Sequence, residues 1–237
     1  MPDIPTISRR IGLVLLPGMD GTGELFDPLL DALPVRIDTT VVRYPDRAAS
    51  YAEHEAIARA ELPKNQPYVL LGESFSGPVA VQIAASAPAN LRGLILCASF
   101  LTRPHKALEW LRPFVSFASP KLLPSFVAQR SLLGRFATEE LRAAQTRALA
   151  HVSSPTLTSR LRAMADVDAR AAMRAVAVPT LYLQATEDRV VDARFAGEYA
   201  QCAKHPSILK LEGPHLLLQS NAAGSAEAIE RFIDKLG

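Results

Sequence analysis

The feature that most constrains this chain is the alternation of short apolar runs with amphipathic stretches. Residues 11–16 form an apolar run that Pro17-Gly18 stops, and residues 37–42, 68–71, 91–97, 180–184 and 208–211 repeat the pattern. Short apolar runs bounded by turn residues read as buried strands. Between them lie helical segments at 24–33, 79–87 and 193–201, and a final helix in which Ile229, Phe232, Ile233 and Leu236 recur at helical spacing. Ser50-Tyr51-Ala52-Glu53 has the spacing of a capping box and predicts a helix ending by Leu62-Pro63. Continuous apolar strands alternating with helices predict an α/β fold: a mostly parallel sheet of about six strands, covered on both faces. With 237 residues, 49% of them apolar, the chain can bury one sizeable core.

The alternation breaks once. Between residues 102 and 176 there is no strand candidate, while 107–112, 121–133, 138–151 and 155–165 read as helices. Ser154-Pro155 sets a capping residue before a proline at the first helical position, and Leu157, Leu161 and Met164 follow at helical spacing. The expected organisation is a core of residues 1–102 and 177–237, with an all-helical insertion, 103–176, on the carboxyl side of the sheet.

Composition excludes several classes. Lys and Arg number 26 against 24 Asp and Glu, a net charge of +2 with no basic stripe, so nucleic acid is not the expected partner. Cys97 and Cys202 cannot make a disulfide framework, and Cys97 in its apolar run reads as packing. No His, Cys, Asp or Glu cluster has metal-ligand spacing, so no metal or cofactor is expected. The opening residues lack an apolar leader, and no segment approaches the ~20 apolar residues of a membrane span. The expectation is a soluble cytoplasmic protein.

Ligands of open parallel sheets gather beyond the carboxyl ends of the strands. After the third run stands Gly72-Glu73-Ser74-Phe75-Ser76-Gly77, a serine flanked by small residues on a strand-to-helix turn. Small neighbours are what a nucleophile on such a sharp turn requires, and the helix start aims free N–H groups at a developing oxyanion. A serine hydroxyl needs a base. Of five histidines, His54 falls in a helical segment, His105 and His151 in the insertion, and His205 precedes a strand, whereas His215 directly follows the last strand. A carboxylate should follow the preceding strand, where Glu187, Asp188 and Asp192 stand.

These motifs resemble the α/β-hydrolase superfamily throughout the chain. Gly72 to Ser76 is similar to its nucleophile elbow, with Ser76 where glycine is usual. Gly213-Pro214-His215 is similar to its histidine loop, and Ala185 to Val191 to its acid turn, which puts Asp188 in the acid position. The order Ser74, Asp188, His215 is the order of that fold. The resemblance implies an oxyanion hole made by the N–H groups of Phe75 and Met19, the latter from Pro17-Gly18-Met19-Asp20-Gly21-Thr22-Gly23, where relatives carry His-Gly at Pro17-Gly18. Gly18 and Asp20 of that loop, with Trp110 of the insertion, are expected to contact substrate. The first two antiparallel strands of the full fold have no room before residue 11.

The insertion carries a charge of its own. From Arg103 to Arg174 twelve basic residues face five acids, a surplus of seven, so the remainder is acidic although the whole is only +2. Those basic residues are either a solvated surface or a means of attracting an anionic partner, for which acyl carrier protein or acyl-CoA would suit. Small core, helical insertion and charge together resemble carboxylesterases of the pimeloyl-carrier-protein methyl ester esterase type. The implied function is a serine hydrolase that cleaves a carboxylic ester or thioester through an acyl-enzyme. The same residues would serve an acyltransferase, and a non-enzymatic receptor for a small ligand is the reading from another class.

Overall fold

Five uncharged residues, Gly12–Leu16, are all buried and form the first strand, β1. In this computed structural model, which describes residues 10–104 and 125–237, five strands follow: β2 (Thr39–Val41), β3 (Tyr68–Glu73), β4 (Leu91–Cys97), β5 (Thr180–Ala185) and β6 (Pro206–Leu211). They form one six-stranded sheet in the order β2-β1-β3-β4-β5-β6, and every pairing is parallel. The helices before β5 are α1 (Asp27–Ala32), α2 (Tyr51–Ala60), α3 (Gly77–Ala85), α4 (Ser125–Leu132), α5 (Glu139–Ala150), α6 (Ser154–Ala165) and α7 (Arg170–Ala175). After β5 come α8 (Arg194–Cys202), α9 (Leu217–Ser220) and α10 (Ala222–Asp234).

Side chains alternate across a strand, so each apolar run feeds two cores. Val14, Leu16, Tyr68, Leu70, Leu94 and Leu96 pack on one face beneath α2, α3, α7 and α8. Leu13, Leu15, Val69, Leu71, Ile95 and Cys97 pack on the other beneath α1, α9 and α10. Cys97 is fully buried and its thiol is pushed up by that burial, as a packing residue should be.

The structure departs from the sequence pattern mainly at edges. The run 37–42 contributes only three residues to the ladder, because β2 lies at the margin of the sheet, although Ile37 and Val42 flanking it are buried. β6 begins two residues early at Pro206, which an edge strand tolerates since a missing N–H there breaks no ladder. The cap of α6 is Ser153, one residue before the expected Ser154: its hydroxyl accepts the Thr156 N–H, and Pro155 becomes the second helical residue. The short helix α7 was not signalled. Segment 107–112, with Trp110, lies outside the described residues.

Among the described residues, helices α4 to α7 lie between β4 and β5. They are tied in where the chain leaves and returns: Thr102 bridges Asp168, and the Ala169 N–H donates to Leu101 O at 2.7 Å. Leu133 and Ala148 pack with Leu25 and Leu216, from the loops after β1 and β6, and the Leu216 N–H donates to Leu132 O at 3.1 Å. The helices therefore rest on loops at the carboxyl ends of the strands.

Two glycines in helices separate packing from propensity. A Cβ on Gly77 would overlap Ser99 Oγ, whereas one on exposed Gly197 meets nothing within 4 Å. Gly77→Ala should destabilise by about 1–3 kcal/mol through overpacking, and Gly197→Ala should stabilise by up to about 1 kcal/mol through helix propensity. Urea unfolding of both variants measures this.

Candidate active site

β3 ends in a turn that holds Ser74 in the left-handed region, φ 46°. Such a backbone costs about 1–2 kcal/mol at a residue with a Cβ, and the neighbours must make room for it. Gly72 does so: a Cβ there would come within 2.7 Å of Ser76 O and 2.8 Å of Ala80 Cβ. The Ser99 hydroxyl, in the place a Gly77 Cβ would need, donates to Ser74 O at 2.7 Å and holds the turn from β4. Position 76 also accepts more than a hydrogen atom. Ser76 is wholly buried, and its hydroxyl donates to Pro17 O and accepts from Tyr44 Oη at 3.0 Å.

The turns after β5 and β6 lie side by side. The Thr186 N–H donates to Leu211 O at 3.0 Å and the Glu187 N–H to Gly213 O at 2.9 Å. This brings Asp188 under His215: Nδ1 lies 2.8 Å from Asp188 Oδ2, with both side chains almost entirely buried. The other Asp188 oxygen accepts the N–H groups of Val190 and Val191, each at 2.8 Å. A carboxylate only accepts, so Nδ1 carries the proton and Nε2 presents its lone pair. Ser74 Oγ stands 2.9 Å from that Nε2. Burial opposes a charge on His215, but the charge and hydrogen bond of Asp188, helped by Glu73, outweigh it and raise its pKa. The line Ser74, His215, Asp188 can thus take a proton from a hydroxyl and stabilise the resulting imidazolium.

The rival residues go elsewhere. Glu187 binds Arg135 and Asp192 accepts the Arg194 N–H. His54 is buried and packs edge-on against Tyr44 and Phe75; His151 meets Glu24, and His205 is exposed. His105 and Trp110 lie outside the described residues. Phe75 is fully buried behind the turn, stacked on Tyr51. Met19 and Gly18 lie in the loop after β1, whose glycines Gly21 and Gly23 have φ of 72° and 76°. Asp20 is nearly buried and turns inward, Oδ2 accepting the Thr22 N–H at 2.9 Å and hydroxyl at 2.6 Å.

Sequence reasoning passed over Glu73, although an acid in an apolar strand is itself a signal. It is 2% exposed, accepts from Gln219 Nε2 at 3.0 Å, and burial pushes its pKa up to about 7. It also missed Arg160, one of many arginines in the insertion and the largest fully buried side chain among the described residues.

Sheet, helices and site define the class: an α/β-hydrolase. Residues 39–210 match the family described as serine aminopeptidase, S33, and the chain belongs to that family. The matched stretch takes in Ser74 and Asp188 and stops before His215. Among curated relatives, a pimeloyl-[acyl-carrier protein] methyl ester esterase of Xanthomonas oryzae is 28% identical over 251 residues, covering 97% of this chain and 98% of the relative. The Xylella fastidiosa protein of the same name is 29% identical over 250 residues, covering 94% and 95%. Of solved structures, a lipase-esterase related protein from Clostridium acetobutylicum superposes with TM-score 0.82 at 15% identity, covering 95% of each chain. An enol-lactonase from Burkholderia xenovorans gives 0.80 at 15% identity, covering 94% and 91%. The chain is an ester hydrolase. Among the described residues no helix is long and apolar enough to cross a membrane.

Glu73→Gln removes a negative charge that helps hold His215 protonated, so the acid limb of the kcat/KM profile should move to lower pH. Stability gives an independent reading. Glu73 binds its proton more tightly when folded, so its contribution is full below its ordinary value of 4.5 and is lost as pH rises through about 7. Between those values the parent should lose Tm relative to Glu73→Gln, which thermal melts across that range would measure.

Proposed function

We propose that Ser74 attacks the acyl carbonyl, that His215 takes its proton and passes it to the leaving group, and that Asp188 orients the imidazole. The N–H groups of Phe75 and Met19 bind the oxyanion, and water activated by His215 then releases the acyl group. The single observation that carries this is the hydrogen-bonded line of 2.9 Å from Ser74 to His215 and 2.8 Å from His215 to Asp188. The inward turn of Asp20 supports a role in shaping the loop.

The insertion, residues 103–176, is the cap over this site, and the substrate is an ester whose acyl group is carried by acyl carrier protein. Three observations support that. The curated relatives bear a name of this kind over nearly their whole length. The described helices of the insertion rest on the loops that hold the site. Arg130, Arg142 and Arg189 line a hollow of about 450 Å³ beside the Asp188 turn, and Arg189 also lies within electrostatic reach of Glu187. That hollow suits a phosphodiester or an acidic helix. Not every arginine of the insertion is available: Arg135 is held by Glu187 and Glu212, Arg170 by Asp168, and Arg160 is buried.

A fluorophosphonate should label the parent and not Ser74→Ala, which should lose about 10⁴–10⁶-fold in kcat on a p-nitrophenyl ester. Labelling elsewhere than Ser74 would sink the nucleophile assignment. Raising salt, or changing Arg130, Arg142 and Arg189 to Ala together, should raise KM for a carrier-linked ester and leave a small neutral ester unchanged. Equal changes for both would remove the docking role. Turnover that requires an added alcohol would make the enzyme an acyltransferase.

A further inference from the structure

The loop after β1 is gripped by a residue from the insertion. Arg160 on α6 is 0% exposed, and its Nη1 donates to Met19 O at 2.9 Å and to Asp20 O at 2.7 Å. Nη2 donates to Pro45 O at 3.3 Å. The guanidinium lies where a side chain on Gly21 would be: a Cβ there would stand 2.6 Å from Nη1. It faces carbonyl oxygens and the Tyr44 ring, 5.9 Å from its centroid, and no carboxylate contacts it among the described residues. Burial accordingly pulls its pKa down, although Asp20, Tyr44 and Asp46 oppose the shift. A buried cation bound only by carbonyls is a poor device for joining a helix to a core, since burying a charge is expensive and an apolar contact would do the same work.

What the charge does is legible in the peptide planes. A trans peptide points its C=O and N–H in opposite directions. Arg160 holds Asp20 C=O, so the N–H of the same peptide, that of Gly21, points away from it, and it donates to Gly18 O at 3.1 Å. Gly18 C=O is thereby held, and the N–H across that peptide is Met19's. The preceding peptide is fixed independently: Pro17 O accepts from Ser76. Arg160 also holds Met19 C=O, so the planes on both sides of Met19 are set by named partners.

We propose that Arg160 is a positioning residue for the oxyanion hole: through two linked peptides it aims the Met19 N–H at the oxygen that becomes negative in the transition state. The inference rests on the reading of Met19 as the second oxyanion donor. It makes the helical insertion part of the catalytic apparatus of the core, since α6 supplies the group that completes the site.

The test compares the parent with Arg160→Ala and Arg160→Lys on p-nitrophenyl butyrate, rates being expressed per site titrated by the fluorophosphonate so that unfolded protein does not count. Affinity for a trifluoromethyl ketone, which forms an oxyanion on the serine, is measured alongside affinity for the corresponding neutral amide. Arg160→Ala should lower kcat about 10²-fold, the scale of a lost oxyanion donor, with KM changed less than about threefold. It should weaken the ketone by a similar factor and leave the amide alone, while Arg160→Lys, which keeps the charge, should fall between. Should Arg160→Ala not fold, Arg160→Lys and Arg160→Gln carry the same comparison. Unchanged kcat per titrated site, or equal losses for ketone and amide, would overturn the proposal. A parent that is not labelled at Ser74 would instead strike the nucleophile assignment on which it rests.

Discussion

The left-handed backbone at Ser74 is the constraint around which the carboxyl end of the sheet is arranged. At φ 46° the residue lifts its hydroxyl out of the turn, and a backbone of that kind persists only where its surroundings over-determine it. Gly72 lets Ser76 and Ala80 approach, the Ser99 hydroxyl occupies the space beside Gly77, and Ser76 ties the turn to the loop after β1. The parallel ladders of β3 with β1 and β4 deliver these groups to the same height. Without that register the hydroxyl, the loop and the Ser99 brace would not meet.

The same register explains the partnership of Asp188 and His215. Their strands, β5 and β6, are neighbours, and backbone bonds join the turns that follow them. Both side chains are buried, so an imidazolium formed between them is stabilised by a close negative charge with little water to screen it. Glu73 places a second ionisable group in this interior, with a pKa of about 7 set by burial. The site therefore holds an imidazole whose pKa is raised and a carboxyl pushed up to about 7, coupled through space.

The net charge of +2 hides a division of labour among the arginines of the insertion. Arg135 and Arg170 are spent on ion pairs, and Arg160 is turned wholly inward onto the loop carbonyls. Counting charges by segment finds the surplus but cannot sort these roles. An arginine that meets backbone carbonyls leaves no complementary pattern in the chain, because every residue has a carbonyl.

Much of the fold was legible because apolar runs and helical spacing are local. The strands 91–97 and 180–184 and the capping box at Ser50 and Glu53 stand where the pattern placed them, to within a residue, while the final helix stops at Asp234, two residues short of Leu236. Ser74, Asp188 and His215 could be singled out because each follows a strand, and position in the chain then implies position at one end of the sheet. Edges were less legible: β2 and β6 depend on which strand lies outermost, and no apolar run records that. By itself the sequence determined the element order, the strand-end positions of the three polar residues and the apolar faces that bury the sheet, since these follow from periodicities of two and 3.6. Only the tertiary structure decided that Ser76 ties two loops together, that Glu73 is buried next to Ser74, and that Arg160 reaches across 140 residues to Asp20. Those contacts are set by how distant segments pack in three dimensions, and nothing in the local spacing of residues encodes them.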